Sequence, residues 1–166
     1  MTEPENSNSN ETLPLLIFPI GIPGSGKSRW ICNTFNSPNF IIVHPDMIRE
    51  EITGNVSDVS QDEVVWKLVR ERVSEALREE KNVILDATNV NGNNRRNFIK
   101  ELPPCKLQAK IFEITPEKAK KRIRKDIKKG VNRSHVPEPV VDRMYHLFKT
   151  DSSIEQLRKE GFEIIE

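Results

Sequence analysis

Apolar residues gather along this chain in two rhythms. Unbroken runs at 13–20 (Leu-Pro-Leu-Leu-Ile-Phe-Pro-Ile), 40–44 and 83–87 have the length and enrichment of buried strands. Weaker runs at 107–114, with partial alternation, and 162–165 complete a set of strands. Between them apolar residues recur at helical spacing. The longest such segment, 60–80, opens on Ser60-Gln61-Asp62-Glu63, a capping-box pattern, and carries Val65, Val69, Val73, Ala76 and Leu77 on one stripe. Trp66 lies beside that stripe and reads as core.

Shorter helices are expected at 29–35, and at 46–53 with Asp46 as cap and Gly54 as stop. Another starts from Asn91 or Asn93 through Arg95, Phe98 and Ile99, ended by Pro103-Pro104. Thr115-Pro116-Glu117 opens a helix to about Lys129 and Gly130. Pro137 or Pro139 starts the next, and Ser152 or Ser153 the last, which Gly161 closes. Pro19 is a blemish in the first strand, because proline cannot donate to a ladder. Strands alternating with helices predict an α/β fold, a parallel sheet with helices on both faces. Ligands of such sheets bind beyond the carboxyl ends of the strands.

Composition narrows the picture. Residues 1–12 are rich in Asn, Ser and Glu and read as a disordered tail; 13–166 read as one domain. Charged residues reach 31% but the net charge is only +1, so any polyanion contact must come from a local patch. Cys32 and Cys105 lack disulfide or metal spacing and read as free thiols of an intracellular protein. No apolar run is long enough for a membrane span and no secretory leader is visible, so a cytoplasmic location with no membrane partner is expected.

The stretch that carries chemistry is Gly21-Ile22-Pro23-Gly24-Ser25-Gly26-Lys27-Ser28, a full G-x-x-x-x-G-K-[ST] between a strand and a helix. Its glycines let backbone N–H groups close around phosphate oxygens, Lys27 adds a point charge, and the Ser28 hydroxyl can ligate Mg²⁺. The positive end of the following helix points at the same anion. Phosphoryl transfer further needs a carboxylate near the attacking hydroxyl, an acid on the metal side and cations over the transferring phosphate. Asp46 follows the second strand and can orient and deprotonate a hydroxyl, while Arg49, three residues on and on the same helical face, holds an acceptor phosphate. Asp86 ends the third strand in the manner of a Walker B aspartate, with Thr88 and Asn89 following. Residues 118–133 are dense in Lys and Arg; most belong to a solvated helix face, but Arg124 and Arg133 can swing over the nucleotide. Arg95 and Arg96 form a further pair on the acceptor side.

In this order the pieces resemble the kinase domain of polynucleotide kinases, of both phage and animal type, within the P-loop kinase superfamily. The matching stretches are Gly21 to Ser28 with Trp30, His44-Pro45-Asp46-Met47-Ile48-Arg49, Asp86-Ala87-Thr88-Asn89 with Arg95-Arg96, and Val136-Pro137 running to Met144-Tyr145. The closing Glu160-Gly161-Phe162 resembles the end of the animal domain. The resemblance implies ATP- or GTP-dependent, Mg²⁺-assisted phosphorylation of a 5′-hydroxyl on a nucleic acid or nucleotide. It casts Lys27 and Ser28 as phosphate and metal groups, Asp46 as general base, Arg49 as the contact to the acceptor's 3′-phosphate, and a lid arginine, Arg124 or Arg133, as the donor contact. Arg29 stands where the family commonly has Thr, and the phage counterpart of Asp86 aligns with Ala87. No D-x-D-x-T phosphatase motif occurs, so a lone kinase domain is expected. Two other readings keep the phosphate loop: a kinase of a small metabolite or nucleoside, and a nucleotide-binding switch without a base. The oligomeric state is left open.

Overall fold

A central strand, β1 (Leu15–Ile20), carries the molecule. In the computed structural model, which describes residues 12–133 and 135–166, it is followed by α1 (Lys27–Thr34), β2 (Phe40–Val43), α2 (Pro45–Thr53), α3 (Asp62–Arg78) and β3 (Asn82–Leu85). Then come α4 (Gly92–Ile99), β4 (Lys106–Ile111), α5 (Pro116–Lys128), α6 (Glu138–Asp151), α7 (Ile154–Lys159) and β5 (Glu163–Ile164). The tail expected at 1–12 lies, apart from Thr12, outside the described residues. The sheet order is β2-β3-β1-β4-β5 and every pairing is parallel. All strand carboxyl ends therefore lie on one edge, where the phosphate loop after β1 and the turns after β2 and β3 meet.

Alternation along β1 divides the core. Leu16, Phe18 and Ile20 join Val83 and Leu85 of β3 under α3, α4, α5, α6 and α7. Ile17 and Ile84 face the other way, against Ile31 of α1, with Trp30, Phe35 and Phe40 at the margin. Helices cover both faces, unequally. The α3 stripe is buried as its spacing predicts: Val65, Val69 and Val73 are fully buried and Trp66 packs edge-on to Phe98. Each such side chain contributes about 1.5–3 kcal/mol of apolar burial.

Pro19 sits in the middle of the sheet. Ile20 accepts from Phe112 N–H on the β4 side, so the proline's missing donor falls on the β3 side, beyond the paired stretch of β3. The Pro19 carbonyl there accepts from the Asn89 side-chain amide at 2.9 Å. The lost ladder bond thus coincides with a side chain that takes over the neighbouring acceptor.

Several boundaries differ from the sequence reading. Helix α1 begins at Lys27, not Arg29, because the phosphate loop turns directly into its first turn. The cap of α2 is His44, whose Nδ1 accepts from Asp46 N–H, and Asp46 stands inside the first turn. The capping box at Ser60 does not form: Gln61 is the α3 cap without a side-chain bond, and Asp62 is drawn to Arg49. Helix α4 stops at Ile99, ahead of the prolines. Asn91, Thr115 and Ser153 are the caps of α4, α5 and α7. No helix among the described residues is long and apolar enough to cross a membrane.

Candidate phosphoryl-transfer site

The phosphate loop is shaped by contacts on both sides. Gly24 has φ +81°, and a Cβ there would lie 2.9 Å from the Ala119 carbonyl, so α5 rests directly on the loop. Gly26 has φ +101°, and a Cβ there would meet nothing within 4 Å: the loop is open on the side of its last glycine. Gly21 N–H donates to the Thr88 carbonyl at 3.0 Å, tying the loop to the turn after β3. Pro23 and Ser25 are buried, while Ser28 and Arg29 are exposed.

The Lys27 ammonium is folded into this cradle. It donates to the Gly21 and Ile22 carbonyls at 2.7 and 2.8 Å and to Ser25 Oγ at 3.2 Å. Burial pushes its pKa down to about 8; Asp86 pulls against that shift and the Arg133 charge adds to it. A buried ammonium held by neutral carbonyls gains most from an incoming anion, which supplies the charge its surroundings lack.

Ser28 Oγ donates to Asp86 Oδ2 at 3.3 Å, and Asp86 is 7% exposed. His44 Nε2 lies 3.5 Å from the same oxygen. A hydroxyl and a buried carboxylate at the mouth of the loop are hard oxygen donors that fit Mg²⁺, which takes one or two protein oxygens and leaves the rest to phosphate and water. Among the described residues there is no cluster of three or more His, Cys, Asp or Glu that would make a closed metal cage.

On the acceptor side, Arg49 is 7% exposed at the foot of α2. Its Nε and Nη2 donate to the two oxygens of Asp62 at 2.7 and 3.2 Å. Its Nη1 donates to Asp46 and to the Val56 carbonyl. These bonds occupy four of the five N–H groups of a guanidinium. Asp46 is therefore held as the partner of an arginine that is itself anchored by a second carboxylate.

The remaining expectations divide. Arg133 is half-buried, donates to Asp126 Oδ2 at 2.6 Å, and has a buried Nε with no partner. Arg124 is exposed and pairs with Glu138 on the flank of α5 and α6. Arg96 is exposed, bonded to Asn93. Asn89 and Arg95 differ from the expectation of acceptor contacts. Asn89 stands at φ 55° with its amide on the Pro19, Leu85 and Ala87 carbonyls, closing the turn after β3. Arg95 is 2% exposed and donates to Glu160, Asn89 O, Asp151 O and Ser152 Oγ. Those five bonds use every N–H it has, so none is left for a ligand. Thr88 meets the loop through its carbonyl.

Sequence reasoning passed over three residues. Asp62 was hidden in an apparent helix cap. His44 reads in sequence only as part of the His44-Pro45-Asp46 stretch; its place at a strand end is the signal, and its approach to Asp86 is set by the fold. Arg122, one of many cations on α5, donates to the Gly24 carbonyl at 3.2 Å, and its i+3 spacing from Ala119 on a helix packed on the loop is the only cue.

Comparison with known proteins bears on the family and the fold. A family model described as an AAA domain (AAA_33) matches residues 16–150. Among solved structures, a chain of the Pnkp1/Rnl/Hen1 RNA repair complex superposes with a TM-score of 0.73 at 22% identity, over 92% of this chain and 48% of that one. A chain of a second Pnkp1/Rnl/Hen1 complex gives 0.60 at 28% identity, over 69% and 40%. A gluconokinase from Sinorhizobium meliloti 1021 gives 0.56 at 14% identity, over 93% and 83%. The chain thus spans about half or less of the length of the RNA-repair chains it matches. No curated protein matches it.

Proposed function

This chain belongs to the AAA-domain family, with a P-loop kinase-like fold, and from that premise we propose that it transfers the terminal phosphate of ATP or GTP to the 5′-hydroxyl of a nucleic acid or nucleotide. The observation that carries the reading is the carboxylate of Asp46. It stands in the first turn of α2, immediately beyond β2, on the sheet edge that also bears Lys27, Ser28 and Asp86. A nucleotide-binding switch has no use for a base at that place.

In this mechanism Lys27 leaves the loop carbonyls for the terminal phosphates, and the glycine loop's N–H groups hold the remaining oxygens. Ser28 and Asp86 would hold Mg²⁺, which when bound would offset the negative charge of the phosphates. Asp46 accepts the proton of the acceptor hydroxyl as its oxygen attacks phosphorus; the nucleoside diphosphate leaves with the bridging electrons. Arg133, with its free Nε and its charge felt at Lys27, steadies the phosphate in transfer. Arg49 offers its one uncommitted N–H to an acceptor phosphate.

A second reading, phosphorylation of a small alcohol without a phosphate of its own, is favoured by one observation: Arg49 is already bonded to Asp62, Asp46 and Val56. A screen of labelled ATP against 5′-hydroxyl oligonucleotides, 3′-nucleotides, nucleosides and sugar acids separates the two. A charge-assisted contact to a 3′-phosphate contributes about 1.5–3 kcal/mol, so 3′-nucleotides should outperform nucleosides by about tenfold to a hundredfold. Equal efficiency for both acceptors would overturn the polynucleotide reading, and turnover of a sugar acid alone would establish the second.

A further inference from the structure

We propose that His44 is a positioning residue that locks the proton-accepting side of the site to its metal-binding side; the inference rests on the kinase reading above. The imidazole stands between two partners, bonded to one and close to the other. Nδ1 accepts from the backbone N–H of Asp46 at 3.2 Å, and Nε2 lies 3.5 Å from Asp86 Oδ2. A ring nitrogen that accepts a hydrogen bond carries no proton, so the N–H of this tautomer is on Nε2, facing the carboxylate. One rigid ring therefore joins the first turn of α2, which sets the place of Asp46, to the carboxylate beyond β3, which shares its Oδ2 with Ser28.

The connection matters because the backbone ladder stops one residue short of His44. Strands β2 and β3 pair only as far as Val43 and Leu85, with Asp86 N–H reaching back to the Val43 carbonyl. Beyond that point no further backbone bond joins the two segments among the described residues, and the Asp46 and Asp86 side chains have no hydrogen bond between them. Arg49 and Asp62 fix Asp46 from one side. Ser28 fixes Asp86 from the other. His44 is the group in contact with both halves. The ring side chain is 31% exposed, so its role is not that of a core filler.

The two ring nitrogens can be mimicked separately. In His44→Asn the short amide oxygen takes the place of Nδ1 and keeps the helix cap, but nothing reaches Asp86. In His44→Gln the longer amide reaches toward Asp86 while the cap acceptor is lost. Partners that orient a metal ligand typically change metal affinity or activity by about 10–100-fold. Mn²⁺ is the probe: it is titrated into each protein bound to an imido-bridged, non-hydrolysable ATP analogue, and free Mn²⁺ is read by electron paramagnetic resonance. Thermal unfolding is recorded on the same samples without nucleotide. His44→Asn should weaken Mn²⁺ binding about tenfold or more with melting temperature unchanged. His44→Gln should keep Mn²⁺ affinity within about threefold and lower the melting temperature, as loss of a cap does. Parental Mn²⁺ affinity in His44→Asn overturns the proposal. So does an equal loss in both variants that tracks the fall in melting temperature, for then the ring is a cap only. Because the readout needs no acceptor, it stands apart from the kinase reading: an enzyme that phosphorylates nothing in the screen, yet loses Mn²⁺ in His44→Asn, overturns the reading and keeps the tie.

Discussion

At the scale of single residues, the charges of the site are held by partners before any ligand arrives: Asp46 by Arg49, Lys27 by the loop carbonyls and Asp86 by the Ser28 hydroxyl. Asp46 is the residue on which the proposed kinase chemistry turns. General-base assistance contributes about 10²–10⁴ in rate. The Asp46–Arg49 pair is a third exposed on the aspartate side, so its worth to the fold is at most about 1 kcal/mol. Helix α2 is capped by His44, so the Asp46 side chain is free of that duty. Asp46→Asn should therefore lower kcat by at least about a hundredfold while melting temperature and ATP affinity barely move. Steady-state rates and a thermal melt decide it; a kcat within a few-fold of the parent would leave Asp46 as nothing more than a partner of Arg49. Gly24 is the companion case on the donor side. Gly24→Ala brings a Cβ to the Ala119 carbonyl and asks a non-glycine residue to hold φ +81°, so nucleotide binding should fail even where the fold persists, measured as ATP affinity by calorimetry.

At the scale of elements, the turn after β3 depends on the far end of the chain. Arg95 of α4 grips the Asn89 carbonyl, the α6 terminus at Asp151 and Ser152, and Glu160 after α7. The Arg95 and Glu160 side chains are 1% and 3% exposed. A buried pair is not in itself strong evidence of stability, because both charges were taken from water, but removing one partner strands the other. Glu160→Gln should cost about 3–5 kcal/mol in a denaturant titration. A loss under about 1 kcal/mol would show that α7 is not what holds this turn. Asp151, which accepts from Gly92 N–H at the start of α4, belongs to the same junction. That hydrogen bond holds its carboxyl below the usual range, with Thr150, Arg95 and Arg96 helping. A depressed carboxyl contributes stability above its ordinary pKa and loses it as pH falls through the folded value. Asp151→Asn should accordingly lower stability at neutral pH, change it little at acid pH, and so flatten the acid limb of the profile in denaturant titrations run across pH.

At the scale of the whole molecule, residues on the connection between α5 and α6 reach back to α2 and the turn that follows it. Asn132 donates to both carboxylate oxygens of Glu50 on α2, and His135 N–H donates to Ser57 Oγ. These contacts are exposed, each worth about 0.5–1.5 kcal/mol, and suit a segment that opens and closes. Glu50→Ala should quicken amide exchange at 131–133 without changing it in the sheet, and hydrogen-exchange mass spectrometry resolves the two.

How much of this was legible in the chain follows from how local each signal is. Gly21 to Ser28, the apolar runs of β1, β2 and β3 and the α3 stripe are patterns over a few residues. Strand, glycine loop and helix in that order specify the parallel sheet and the edge where Lys27, Asp46 and Asp86 meet. A residue's own type and spacing carry that information, because phosphate needs glycines and a lysine and a buried strand needs apolar side chains. Partner choice is a different matter. Whether an arginine faces a ligand or a carboxylate depends on what lies across a gap of up to 65 positions, as with Arg95 and Glu160. Arg95 and Arg96 are adjacent and alike in sequence; helix geometry turns one into the core and the other to solvent. Asp62 looked like a cap and became the anchor of Arg49, and His44 sits between two aspartates that lie 40 positions apart. Local physics set the elements and the loop, and only the packing of distant segments decided which charges were left over for chemistry.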